Sequence, residues 1–340
     1  MALDTPAVEP TLSRPPSREV ISRTNRNWSI GLLLLVAAIY LFYTLVLPSL
    51  GQPIQDFFRQ WLPLVSVNEM LVWVICAVGL NIVVGYAGLL DLGFVAFWAI
   101  GGYTAGWLMS SFFYQVNIHF LSAAPPGQVG IHLNWWLVLI IAALFCALWG
   151  IIIGTPTLRL KSDYLAIVTL GFGEIIPQVF VNGEDIFGFN LSNGTKGITP
   201  LDPISVLPGT KALGPFDLST KFLLFSFITA IAIFISIRIR EGRLGRAWLA
   251  IREDELAASM MGVPLMRSKL AAYAVGAAMG GLGGVVFAVH VNGVFADRFN
   301  FSISIILLAM VVLGGMGNVW GVLMGALILA WINSTGLPQF

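Results

Sequence analysis

Charge is the scarcest commodity in this chain. Of its 340 residues, 10% are Asp, Glu, Lys or Arg while 57% are hydrophobic, and the mean hydropathy is +0.87. A soluble domain of that length has no room to bury so much apolar side chain, so the expected solvent is a membrane. Histidine is nearly absent: His119, His132 and His290 are scattered without the spacing of metal ligands, so no zinc or haem site and no resident cofactor is expected. The two cysteines, Cys76 and Cys146, lie inside apolar runs with nothing to pair with and read as core residues. No Gly is followed by Lys anywhere, so the phosphate-cradling loop G-x-x-x-x-G-K-[ST] is missing and ATP must be bound elsewhere if it is used. A net charge of +1 with 11 Trp and 7 Tyr suits interfacial anchoring better than nucleic-acid binding. No nucleophile-base constellation is visible, so an enzyme is not expected.

Long apolar runs are what the chain has instead. Ile30 to Leu47 carries no charge and as a helix is roughly 27 Å long, close to the hydrocarbon thickness of a bilayer. The runs are continuous rather than alternating, which selects helices over an outer-membrane barrel. Candidate spans are Ile30 to Leu47, Leu64 to Val84, Gly93 to Phe113, Trp135 to Ile153, Tyr164 to Val181, Phe222 to Ile237, Leu270 to His290, and a final region from Ile303 to Trp331. That last region is broken at "GGMGN" (Gly314 to Asn318) into two short helices, giving about nine spans. The expected fold is an all-α polytopic membrane protein with broken or re-entrant segments. Residues 1–28, rich in Pro, Ser and Arg, read as a disordered tail, 29–335 as the transmembrane domain, and 336–340 as an end after which a further helix is expected. The tail lacks the form of a signal peptide, so the first helix is expected to be retained.

The basic residues orient this map. With the N-terminus cytoplasmic and each span crossing once, Arg14, Arg18, Arg23 and Arg26 fall inside, as do Arg159 and Lys161 and the whole group Arg238, Arg240, Arg243, Arg246, Arg252, Arg267 and Lys269. Only Arg59, Lys196, Lys211, Lys221 and Arg298 are left outside. The segment 182–220, with its Gly, Pro and Asn turn signals, is then an external loop able to hold a small structure of its own, and the chain ends outside.

Many of the 36 glycines sit within spans. Gly276, Gly280 and Gly284 share one helical face and allow close backbone approach. In "GLNIVVGYAGLLDLG" (Gly79 to Gly93), polar residues and glycines interrupt an apolar run at membrane depth, where irregular backbone must be buried in protein or line a wet path. Asn81, Gly85, Tyr86, Gly88 and Asp91 are therefore path or gate candidates, together with Glu174 in a later span, with a structural bend as the alternative for the 79–93 segment. Glu69, Asp91 and Glu174 are acids at or inside spans, where a proton relay is one reading; each also lies near a glycine or a helix end that a carboxylate can cap, which is the other.

One stretch gathers charge: "EGRLGRAWLAIREDELAASMMGVPLMRSK", Glu241 to Lys269, within a cytoplasmic loop 238–269. Leu244, Trp248 and Ile251, then after a slip Leu256, Met260 and Val263, are spaced as one apolar face of short helices, with Arg246, Arg252 and Asp254 off it. Amphipathic helices too short to span lie on a surface or dock in a partner's groove. "GRAWLAIREDELAASMMGV" resembles the cytoplasmic loop of permease subunits of high-affinity branched-chain amino acid ABC importers, a variant of the signature E-A-A, three residues, then G. Leu256, Ala257, Ala258 and Gly262 hold those places, with Glu255 one position early. "GLNIVVGYAGLLDLGFVAFWAIGGYTAG", "GTPTLRLKSDYLAIVTLGFGEII" and "NGTKGI" extend the resemblance over 68–331, although Asp91 stands where many relatives have Ser.

The resemblance implies the ABC importer permease fold in a bacterial inner membrane, and a complex with a homologous second permease, two cytoplasmic ATPases that bind the ATP, and an external substrate-binding protein. In such a complex Arg246, Arg252, Glu253, Asp254, Glu255, Ala257, Ala258 and Gly262 would meet an ATPase as a coupling helix. The solute would be a branched-chain or other neutral hydrophobic amino acid; urea or a short amide is the alternative within the class, and an ion-coupled secondary transporter the alternative outside it.

Overall fold

The computed structural model describes residues 18–125, 127–160, 162–205, 212–214 and 216–336. Twelve α-helices follow in order: α1 (Arg18–Leu41), α2 (Gln52–Trp61), α3 (Leu64–Leu80), α4 (Phe94–Leu108), α5 (Trp135–Thr157), α6 (Ser162–Val181), α7 (Leu218–Glu241), α8 (Arg243–Glu253), α9 (Glu255–Met260), α10 (Leu265–Val291), α11 (Phe301–Gly314) and α12 (Val319–Trp331). Among the described residues, eight helical segments are long and apolar enough to cross a membrane, and α4 is a shorter apolar helix. The chain is thus a mostly helical polytopic membrane protein, as expected apart from a small sheet, and every span expected from hydropathy has a helical counterpart. The last region does break at Gly314, between α11 and α12, where Gly315 and Gly317 have φ of +91° and +87°, a left-handed conformation open to glycine and costly for other residues.

Two boundaries differ from expectation. The tail expected to be disordered to residue 28 is helical from Arg18, because after Pro16 no Pro or Gly interrupts the run into the apolar span; residues 1–17 lie outside the described residues, as do Lys161, Lys211 and residues 337–340. The span expected to reach Phe113 stops at Leu108, where the chain turns into β1 (Met109–Ser110).

Helix α10 occupies the middle of the bundle and packs against α3, α4 and α5. Its small residues permit this. A Cβ on Gly284 would lie 2.2 Å from the Trp98 carbonyl oxygen, and one on Gly101 would lie 2.3 Å from that of Gly281, so α4 and α10 touch backbone to backbone. Cys76 and Cys146 are free and buried in this core. Helix α1 stands at the periphery, where Trp28 stacks on Trp320 of α12 at 5.7 Å.

The bundle has two unlike ends. One carries the basic loop with α8 and α9. The other carries a small sheet in the order β1, β3 (Gly130–Leu133), β2 (Asn117–Phe120), with His119 opposite His132 in the parallel pair. Buried His132 binds Asp202 through Nδ1 at 2.8 Å, and the Asp202 amide donates to the Met109 carbonyl, so the described parts of the long segment 182–220 are tied to the sheet. Ile198 pairs with Val294 beyond α10, closing that end.

Candidate functional site

The charged loop folds as a two-sided element. Trp248 and Ile251 of α8 are buried against the bundle, and the Trp248 indole donates to the Ser268 carbonyl at 2.7 Å. Helix α9 faces the other way: Leu256, Met260 and Met261 are 69%, 78% and 85% exposed. The apolar positions expected to form one face therefore serve two, because Asp254 adopts extended backbone between the helices and rotates the second relative to the first. Asp254 Oδ1 accepts from the amides of Leu256 (2.8 Å) and Ala257 (3.0 Å), capping α9, whose Ala258 is buried. The helix closes at Gly262, with φ +82° and the Val263 amide returning to the Ala258 carbonyl, the left-handed stop that glycine supplies. Glu255 is held by buried Lys269 of α10 at 2.6 Å. Several residues expected to touch a partner thus have internal duties: Asp254 caps, Glu255 anchors to α10 and Gly262 terminates. Arg246, Glu253 and Ala257 remain exposed.

Arg252 ties this loop to the bundle. Its Nη1 donates to the Gly85 carbonyl at 2.5 Å, and its side-chain stem lies over Gly88, whose φ is +69° and whose missing Cβ leaves the room. The same guanidinium borders Gly317, whose amide donates to Asn81 Oδ1 at 2.9 Å, and a Cβ on Gly85 would strike that Asn81 oxygen. The two glycine-rich interruptions, 79–93 and 314–318, thus meet at one arginine. After α3 the backbone loosens into a wider turn, Asn81–Tyr86, where Tyr86 shares a hydrogen bond with Ser236 at 3.1 Å and lies under the Arg240 guanidinium.

From Gly88 the chain turns back into the bundle. Asp91 is fully buried, with Oδ1 accepting the Gly93 amide at 2.9 Å and the Tyr273 phenol of α10 beside it. Leu92 donates to Thr169 Oγ1 at 3.1 Å, and Gly93 packs on the α6 backbone at Thr169 and Gly173. Asn81, Gly85, Tyr86 and Asp91 are buried around one junction, with exposed Gly88 at its edge. Glu174 is not among them. It lies on the outer face of α6 with Ile175, Gln178, Val179, Asn182 and Ile186, around an open cavity of 460 Å³. Glu69, in the second turn of α3, accepts a long hydrogen bond from the Trp73 indole at 3.4 Å.

Sequence reasoning missed Lys269 as the partner of Glu255, Ser268 as the acceptor for Trp248, and Gly317 as the neighbour of Arg252. Only the last had a signal, since both glycine breaks were visible without any sign that they meet. Among the described residues no group of His, Cys, Asp and Glu has the arrangement of a metal site.

Over residues 63–340 the chain matches the family described as branched-chain amino acid transport system / permease component. It is 36% identical to the high-affinity branched-chain amino acid transport system permease protein LivM of Escherichia coli K12, across 76% of this chain and 60% of that one. The probable branched-chain amino acid transport permease protein LivM of Methanocaldococcus jannaschii is 27% identical, across 77% of this chain and 78% of its own. The permease protein LivH of Salmonella typhimurium is 25% identical, across 76% of this chain and 79% of its own. The chain spans 60% of the length of the LivM proteins of E. coli and S. typhimurium. No solved structure matches it.

Proposed function

The chain belongs to the permease-component family of branched-chain amino acid transport systems, and from that premise we propose that it is the membrane-spanning subunit of an ATP-driven importer of branched-chain or other neutral hydrophobic amino acids. In this reading it sits in the inner membrane with the α8–α9 loop and its N-terminus in the cytoplasm. It works with a second homologous permease, two ATPases that bind and hydrolyse ATP, and an external binding protein.

The two-sided loop is the observation that carries the reading. A coupling element needs one face open to a motor and the other fastened to whatever must move. Here Leu256, Met260 and Met261 supply the open face, and methionine suits an adaptable groove contact. Arg252, Trp248 and Glu255 supply the fastening, to the helix breaks and to α10. Arg246, Glu253 and Ala257 border the open face as secondary contacts. A displacement of α9 by an ATPase would reach Gly85 and Gly317 through Arg252, moving the junction of Asn81, Gly85, Tyr86, Gly88 and Asp91 as a gate.

Replacing Leu256 and Met260 together by Asp tests this. Leucine uptake and the substrate-stimulated ATP hydrolysis of the assembled complex are expected to be lost, with the permease still inserted. Wild-type coupling in that variant would refute the docking face. Undiminished uptake of labelled leucine after deletion of the chain, with loss of urea uptake instead, would refute the substrate.

A further inference from the structure

Helix α6 has an outer face that a lipid-facing helix should not have. Glu174 and Gln178, one turn apart, and Asn182 just beyond the helix end form a single exposed stripe. Among the described residues no hydrogen bond or ion pair reaches the Glu174 carboxylate, and the Asn182 amide donates to the Gln178 carbonyl at 2.9 Å. Glu174 lies about 10 Å of helix inside the end of α6. A carboxylate at that depth against hydrocarbon costs on the order of 2 to 3 kcal/mol, and flanking amides add to it. The stripe is also directional: polar from the sheet end inward as far as Glu174, then continued by Gly171 and Ile167. Ile175, Val179 and Ile186 wall the same 460 Å³ cavity with apolar surface.

We infer that this α6 face lines the entry half of the solute path, with Glu174 receiving the α-ammonium group of an amino acid whose apolar side chain rests on Ile175 and Val179. The inference rests on the functional reading above and specifies the site. The chemistry matches on both counts: an unpaired carboxylate complements an ammonium group, and aliphatic walls complement an aliphatic side chain. The opposite face of the same helix, through Thr169 and Gly173, holds Leu92 and Gly93, so the helix that carries the proposed site also packs, on its other side, against the stretch that leads into the junction anchored by Arg252.

The test uses the assembled complex in proteoliposomes. Because Cys76 and Cys146 are buried, single thiols at Glu174→Cys and Gln178→Cys can be read against a quiet background. Both are expected to react with a membrane-impermeant methanethiosulfonate, and leucine delivered by the binding protein is expected to slow that reaction several-fold. A thiol at Ile140→Cys, on the exposed face of α5, is expected to stay inert. Glu174→Gln is expected to lower leucine transport tenfold or more with unchanged assembly, and Glu174→Asp to recover much of it. Thiols reactive in the isolated chain but blocked in the complex would make the face a protein seam and overturn the inference. Thiols inert in both, or Glu174→Gln with normal transport, would overturn it too. If the wild-type complex carries no branched-chain amino acid, the functional reading fails, while the reactivity of the thiols still decides whether this face is wet.

Discussion

Replacing Arg252 by Lys keeps the charge and removes the planar fork, so it separates two roles that look alike in the sequence. The guanidinium reaches the Gly85 carbonyl while bordering Gly317; a single ammonium cannot span both. Arg252→Lys is expected to leave assembly intact and to lower the leucine moved per ATP hydrolysed several-fold, measured in proteoliposomes, with Arg252→Ala lower still. In the sequence Arg252, Glu253, Asp254 and Glu255 all stand as candidates for contact with a partner, in one run of charge on a loop. Nothing in that run indicates that Asp254 will spend its carboxylate on two amides, or that the charge opposite Glu255 comes from Lys269, fourteen residues further on. Long-range partners of this kind are set by how α8 and α9 are rotated, and rotation is not written in local pattern.

At the scale of elements, α9 is too short to hold itself together, since isolated helices of a turn or two are unstable in water. Its stability comes from its two ends. Asp254→Ala is expected to cost about 1 kcal/mol of local helix stability, and Asp254→Asn much less, read as faster amide hydrogen exchange across Glu255–Met260. Gly262→Leu has open space for its side chain but must hold φ near +82°, at roughly 1 to 2 kcal/mol, so it is expected to fray the same helix without a steric clash. The spans were legible because hydropathy is a local property, and the break at Gly314 was legible because glycine punctuates. The three-stranded sheet was not: β1 is two residues long, and β2 and β3 gain their register from each other. The amphipathic helix α2 also escaped, lying in the short stretch between two apolar runs to which hydropathy assigns no element.

Across the whole molecule, the packing of α10 depends on the absence of side chains. Gly284→Ala would place a methyl group 2.2 Å from the Trp98 carbonyl oxygen, on backbone that cannot swing aside, and is expected to destabilise the protein by about 1 to 3 kcal/mol, seen as a lower melting temperature in detergent. Gly31→Ala in peripheral α1 meets nothing within 4 Å and is expected to be neutral or slightly stabilising in the same measurement. Small residues on one face of α10 were visible from spacing; which neighbours they admit was not, because every span in such a chain offers an apolar surface. The same seam has a mechanical side. Helix α10 begins where Lys269 and Ser268 grip the α8–α9 loop and ends beside the sheet-capped pole, roughly 40 Å away. Side chains that interlock resist sliding, since one ridge must climb over the next. Where α10 meets α4 at Gly281 and Gly284 backbone lies on backbone, but the notches at Gly276, Gly281 and Gly283 are filled by Val83, Cys146 and Cys76, so α10 is held like a key among its wards and a push at one pole is expected to carry α3, α4 and α5 with it.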